Sequence, residues 1–258
     1  MAKAQRRILA FDIGGTGLKA AIVDAKGRFL TARERILTPH PCPPRTLLRL
    51  LDELARPLGP YDCITLAFPG FVRGGVVHTA PNLGTDDWAG CPLERLAAKK
   101  LGAPARLIND ADVQGLGAIR GKGLELVVTL GTGFGTAWFL DGALLPHLEF
   151  AHVPVHNNQD FDAYIGEAHR LKLGPARWNT RVKKTLEILR VVFNYDHLYV
   201  GGGNATRIRF KLPPRVSRIP NEDGMRGAAF VWNPIKPSGT TKLRGRSSRP
   251  GERRRPKA

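Results

Sequence analysis

Two stretches of this chain share one plan, and that repeat constrains the fold more than any other feature. Ile8, Leu9, Ala10 and Phe11 form an apolar run of buried-strand length. Asp12 ends it, Gly14, Gly15 and Gly17 follow, and after Lys19 apolar residues resume from Ala20 to Val23. Strand, glycine turn, strand is a hairpin, not the strand-to-helix step of a dinucleotide-binding unit or a P-loop. Residues 126 to 140 repeat the plan around the turn Gly131-Thr132-Gly133-Phe134-Gly135-Thr136. A repeated supersecondary unit predicts two similar domains with a cleft between them. Glycines in such turns let backbone N–H groups approach a phosphate with no Cβ in the way. A carboxylate at a strand end, as at Asp12, can hold Mg²⁺ through water. Taken alone, the first turn is equally an ordinary tight hairpin with a solvated aspartate.

The intervening chain alternates strands and helices. A third strand is expected from Gly27 to about Leu37, then a proline-marked loop at 39–44. Leu47, Leu50, Leu51, Leu54 and Leu58 give Thr46 to Leu58 one apolar helical face. Cys63 to Phe68 reads as a buried strand, Val72 to His78 as a hairpin tipped by Gly74-Gly75, and Leu93 to Leu101 as a short helix. Ala105 to Ile108 is a strand leading to Asn109-Asp110, with a helix from Ala111 to Arg120. Later helices are expected over Asp160 to Leu171, Trp178 to Phe193 and Gly224 to Trp232, with a strand at His197 to Val200. We therefore expect lobes at 1–120 and 121–232. Residues 233–258, rich in Pro, Gly, Ser, Lys and Arg, are expected to be disordered.

At 258 residues and 42% apolar content the chain is large enough to bury a sizeable core. No run approaches the 18 or more apolar residues of a membrane span, and MAKAQRR leads into a strand without a signal-peptide apolar region. A cytoplasmic location is expected. Cys42, Cys63 and Cys91 are scattered with no CxxC pair, which argues against a disulfide framework or a cysteine zinc site. The net charge is +18; residues 233–258 hold nine Lys or Arg and one acid, so the tail carries 9 − 1 = +8. Such charge favours polyanionic partners, or reflects solubility alone.

The chemistry would sit between the two glycine turns, whose N–H groups and threonine hydroxyls can hold a phosphate chain. Asn109-Asp110 ends a strand between them, and a carboxylate there can take the proton of a hydroxyl attacking phosphorus. The other reading of Asp110, an Asp before Ala-Asp-Val, is simply a helix N-cap. Asn82, Glu149 and His152 add hydrogen-bonding groups suited to a polyol, although a loop Asn often caps a turn and a Glu-x-x-His pair is often surface polarity. Arg73, Lys122, Arg181, Lys183, Lys184 and Arg190 are cationic candidates for a long anionic donor, or solvated helix faces.

Six motifs occur in order: DIGGTG at 12–17, APNLGTDDW at 80–88, INDAD at 108–112, LGTGFGTA at 130–137, LEFAH at 148–152 and GGGN at 201–204. Together they resemble the ROK (repressor, open reading frame, kinase) family of sugar kinases over about residues 6 to 232, and within it the polyphosphate glucokinase branch. The resemblance implies an α/β, two-lobed actin-like ATPase (ribonuclease H-like) fold, two βββαβα-type domains around a cleft. It implies that Asp110 is the general base, and that Gly70, Asn82, Asn109, Glu149 and His152 bind the sugar. It places Asp12, Gly14, Gly15, Thr16 and Lys19 in the first phosphate loop and Gly131, Thr132 and Gly133 in the second. Gly201, Gly202 and Gly203 match the loop near the nucleotide.

The activity implied is phosphoryl transfer from polyphosphate or ATP to a hexose, with glucose at O6 expected, Mg²⁺ as cofactor and a homodimer as the assembly. Two departures stand out. Ala151 replaces the family's glycine before the histidine, and the cysteine zinc motif of many members is missing, so no zinc is expected. The helix-turn-helix of the repressor members is not expected either. Nucleic acid is expected only as a non-specific partner of the tail, and no membrane partner is expected. The other class of reading is a non-catalytic sugar- or polyanion-binding protein on the same scaffold.

Overall fold

Each repeat builds a five-stranded sheet, and the two sheets have the same topology. The computed structural model describes residues 6–220 and 223–235; the basic tail expected to be disordered lies outside the described residues from 236 onward. The first sheet has β1 (Ile8–Ile13), β2 (Leu18–Val23), β3 (Glu34–Ile36), β4 (Cys63–Phe68) and β7 (Ala105–Asn109) in the order β3-β2-β1-β4-β7. The small hairpin of β5 (Val72–Arg73) and β6 (Val76–Val77) stands apart, beyond β4. The second sheet is ordered β10-β9-β8-β13-β14, from β8 (Leu124–Leu130), β9 (Phe134–Leu140), β10 (Ala143–Leu144), β13 (His197–Gly201) and β14 (Val216–Arg218). A further two-stranded ribbon joins β11 (Pro154–His156) to β12 (Gln159–Asp160). In both sheets the glycine-turn hairpin is antiparallel and the next two strands run parallel to its first strand. All six side chains of β4 are buried, as expected of a parallel strand covered on both faces.

Helices make three layers around these sheets. On the outside of the first sheet lie α1 (Pro44–Ala55) and α2 (Leu93–Leu101). The apolar stripe Leu47, Leu50, Leu51 and Leu54 of α1 is buried there, and Gly102 ends α2 in the left-handed conformation. On the outside of the second sheet lie α4 (Phe161–Ile165) and α5 (Glu167–Phe193). The sequence reads two separate helices here, Asp160 to Leu171 and Trp178 to Phe193. The chain does break there: Gly174, at φ +74° and ψ +169°, leaves helical geometry and divides α5 into a helical segment before it and one from Pro175 onward, with the short α4 preceding both.

Between the sheets lie α3 (Asp110–Ala118), α6 (Asp223–Arg226) and α7 (Ala228–Trp232), the last two in place of the single expected helix. These central helices are exchanged. α3 follows the first sheet but packs against β8 and β9 of the second, while α6 and α7 end the second repeat and pack against β1 and β4 of the first. Thr65 of β4 donates to the Ala228 carbonyl at 3.0 Å and accepts from Trp232 Nε1 at 3.0 Å. Gly227 lies so close to α3 that a Cβ there would strike the Val113 carbonyl. Among the described residues, no helix is long and apolar enough to cross a membrane.

Candidate active site

The two glycine turns open on one cleft of about 750 Å³, and every site residue expected from the sequence lines it except Gly201. Gly201 is buried at the end of β13 against Gln114 of α3, and Gln114 takes its place on the cleft wall. None of the six cationic candidates Arg73, Lys122, Arg181, Lys183, Lys184 and Arg190 lines the cleft. Arg73 lies over the Phe71 ring, Arg181 over Tyr164, and the rest are exposed. Among the described residues, the Lys or Arg that does reach the cleft is Lys19. It is paired with Asp12 directly across the β1–β2 hairpin, Nζ to Oδ2 2.8 Å.

The first turn is held through its carbonyls. Thr38 Oγ1 donates to Gly14 O and His40 Nε2 bonds Gly15 O, both at 2.6 Å. The same 38–42 segment grips the loop at 80–88, because Cys42 N donates to Leu83 O at 2.9 Å and Trp88 Nε1 to Cys42 O at 3.0 Å. Gly15 meets Asn82 so closely that a Cβ would lie 3.0 Å from the Asn82 Cβ.

The second turn is held from both sides. Asp162 Oδ1 accepts from Phe134 N at 2.5 Å. The first amide of α5, Glu167 N, donates to Gly131 O and Thr132 O at 3.1 and 3.2 Å. Asn204 Nδ2 donates to Gly131 O and to Glu167 Oε2. Hydrogen bonds from Arg170 and then Asn204 outweigh burial and hold Glu167 at about 2. Behind this turn Gly202 has φ +83°, and a Cβ there would strike the Leu130 backbone.

Asp110 stands between the turns as the first residue of α3. The helix cap is its neighbour: Asn109 Oδ1 accepts from Ala111 N and Asp112 N, and Asn109 Nδ2 donates to Gly70 O at 3.1 Å. Capping therefore occupies Asn109 and leaves the Asp110 carboxyl facing the cleft. Burial, then the nearby Asp12 carboxylate, push Asp110 up to about 7, against a bond from the Ala111 amide.

Glu149 precedes, and His152 ends, the turn Phe150–His152. Phe150 packs on Trp138, Phe161 and Phe193, and this anchor leaves Glu149 and His152 on the cleft wall. Ala151, where the family pattern has glycine, is 7% exposed and also on that wall. Sequence reasoning missed three acidic or basic groups here. Asp162 lies in the cleft behind the second turn. Asp112 is buried and His147 half-buried beside Glu149, with His147 Nδ1 3.1 Å from Asp112 Oδ2 and Nε2 3.2 Å from Glu149 Oε1. Burial opposes charge on His147, but bonds to Asp112 and Glu149 prevail and push it up to about 10. Those bonds, led by His147, hold Glu149 below the usual carboxylate range. Spacing alone offers no signal for His147, which lies in a loop without periodicity.

Comparison with known proteins gives the family. The ROK family profile matches residues 8–159. The chain belongs to the ROK family. A polyphosphate glucokinase of Mycobacterium tuberculosis (strain ATCC 25177 / H37Ra) is 30% identical over 249 residues, 89% of this chain and 92% of that one. The crystal structure of an inorganic polyphosphate/ATP-glucomannokinase from Arthrobacter sp. strain KM superposes with a TM-score of 0.78 at 32% identity, over 88% of this chain and 98% of that one. A ROK family glucokinase from Streptomyces griseus, in complex with glucose and AMPPNP, shares the fold with a TM-score of 0.72 at 19% identity, over 87% and 98% of the two chains. The two-lobed α/β fold expected from the repeat is thus that of the ROK sugar kinases.

Proposed function

We propose that this ROK protein is a hexose kinase that transfers a phosphoryl group from inorganic polyphosphate or ATP to a sugar hydroxyl, glucose O6 being the expected acceptor. The observation that carries the reading is Asp110, a carboxyl raised to about 7 at the cleft wall between two glycine turns. A base near the working pH is half ionised there and takes a proton efficiently. The ionised carboxylate accepts the hydroxyl proton as the sugar oxygen bonds to phosphorus, and the bond to the leaving phosphate oxygen breaks. The products are the sugar phosphate and ADP, or a polyphosphate one unit shorter. The similarity to the mycobacterial polyphosphate glucokinase supports both the reaction and the donor class.

Each side of the cleft has its task in this reading. Asn82, Glu149 and His152 bind sugar hydroxyls beside Gly70, while Asn109 shapes that pocket chiefly as a cap and offers its remaining N–H. The turns at Gly14–Thr16 and Gly131–Gly133 hold the donor, with Gly202 and Gly203 on its far side. Mg²⁺ fits Asp12, a cleft-facing, partly exposed carboxylate of the kind that binds this ion through water beside substrate phosphates. When bound it neutralises phosphate charge. The sequence lacks the cysteine zinc motif of many family members, and we expect activity without zinc. Closure of lobes 1–120 and 121–232 over the sugar would exclude water. A cytoplasmic homodimer is the expected form.

The test is a matrix of ATP and polyphosphate against glucose, mannose and other hexoses, with and without Mg²⁺, run beside Asp110→Asn. Phosphorylation of a hexose with either donor, abolished by chelation and nearly lost in the variant, is expected. No turnover of any hexose with either donor sinks the kinase reading, and equal turnover by the variant sinks the role given to Asp110.

A further inference from the structure

We propose that His147 is a positioning residue of the acceptor site: an imidazolium clamped between Asp112 and Glu149 that aims the Glu149 carboxylate at the sugar. The inference rests on the kinase reading for the identity of the sugar, and on geometry for the rest. Both ring nitrogens of His147 face carboxylate oxygens, Nδ1 at 3.2 and 3.1 Å from the two oxygens of Asp112 and Nε2 at 3.2 Å from Glu149 Oε1. A neutral imidazole has one N–H and one lone pair, so one of these contacts would set a lone pair against an anion. Only the doubly protonated ring donates to both.

The clamp is enclosed. The side chains of His147 and Asp112 are 10% and 5% exposed, whereas Glu149 is 38% exposed and lines the cleft. Asp112 reaches His147 from α3, the helix that begins with Asp110. From the β5–β6 hairpin the Phe71 ring lies nearly parallel to the imidazole, 6.3 Å centroid to centroid, and stacks on His78 at 4.9 Å. His147 thus ties the segment bearing Glu149 to the helix bearing the base. With Oε1 bonded to His147, Glu149 keeps Oε2 for an incoming hydroxyl, with His152 Nε2 3.9 Å away.

The experiment compares native protein with His147→Gln and with the double variant Asp112→Asn/His147→Gln. Sugar dissociation constants are read by calorimetry without donor, KM for sugar and donor by turnover, and melting temperature alongside. The single variant should weaken sugar binding roughly 10- to 100-fold, the effect of losing a charged hydrogen bond, with donor KM within about twofold. It should also melt lower, because Asp112 is left buried without a counter-charge. The double variant removes that charge, so it should regain the melting temperature but not the sugar affinity. It also serves if the single variant fails to fold.

Sugar affinity restored in the double variant would mean that His147 merely neutralises Asp112, and would overturn the proposal. So would native-like sugar affinity in His147→Gln, or a donor KM that rises as much as the sugar constant. Nitrogen NMR of the native protein should show His147 doubly protonated at pH 8, and a neutral ring there also overturns it. Native protein that binds hexose without phosphorylating it defeats the kinase reading while the calorimetry still tests His147. Native protein that binds no hexose defeats both.

Discussion

The two glycine turns have nearly the same local sequence plan but are held in opposite ways. In the first, side-chain donors reach the turn's carbonyls, Thr38 to Gly14 and His40 to Gly15. In the second, a carboxylate takes a turn amide, Asp162 from Phe134, and the first amide of a helix takes two turn carbonyls. Charge is distributed accordingly. The first turn brings the Asp12–Lys19 pair into the cleft, and the second presents backbone with its acids, Asp162 and Glu167, behind it. A shared motif therefore does not imply a shared task. One turn carries an ion pair of its own, the other is braced by carboxylates from a neighbouring segment.

Breaking what lies between the turns should have the largest effect. Asp110→Asn should lower kcat by ~10²- to 10⁴-fold, the usual contribution of a general base, with modest changes in KM. Native kcat/KM should rise with pH and level off above about 7, as Asp110 loses its proton. Stability runs the other way. The folded pKa lies above the ordinary 3.8, so the folded state keeps a proton that the unfolded state has lost, and this group's penalty grows from about pH 4 to 7. The gain in melting temperature of Asp110→Asn over native should accordingly be larger at pH 8 than at pH 4.

The next largest effect should fall on the second turn. Gly202→Ala puts a Cβ against the Leu130 backbone at φ +83° and should cost roughly 2–5 kcal/mol in denaturant unfolding. Asp162→Asn, which removes the anionic acceptor of the Phe134 amide, should raise donor KM by roughly 3- to 10-fold and leave sugar KM nearly unchanged. The smallest effect should come from the first turn. Thr38→Val loses one neutral bond, about 0.5 kcal/mol, and should raise donor KM about twofold. A Thr38→Val effect exceeding that of Asp162→Asn would reverse the comparison and make the first turn the stiffer cradle.

Much of the site was legible because it is built from local patterns. Asp12, Lys19 and Asp110 lie at strand ends, where alternating apolar runs and turn residues announce themselves. The remainder depended on contacts between distant segments. The resemblance implies a sugar-binding Asn109, and the fold adds a second task that spacing does not announce: its carbonyl accepts from two amides as the cap of α3. Gly201 was read with its two neighbours, yet the strand carries it into the core against Gln114. His147 gave no signal because its partners are 35 residues upstream and two residues downstream.

By itself the chain determined the two strand–glycine–strand units, the buried central strands and the acid at the strand end beside the cleft. Each follows from side-chain periodicity and turn chemistry within about a dozen residues. Only the tertiary structure decided that α3 would lie on the second sheet and α6–α7 on the first. It alone also set His147 between two carboxylates, and held one turn by its carbonyls and the other from both sides. The reason is that burial is non-directional. An apolar face specifies that it must be covered, and the competition among all such faces selects the partner.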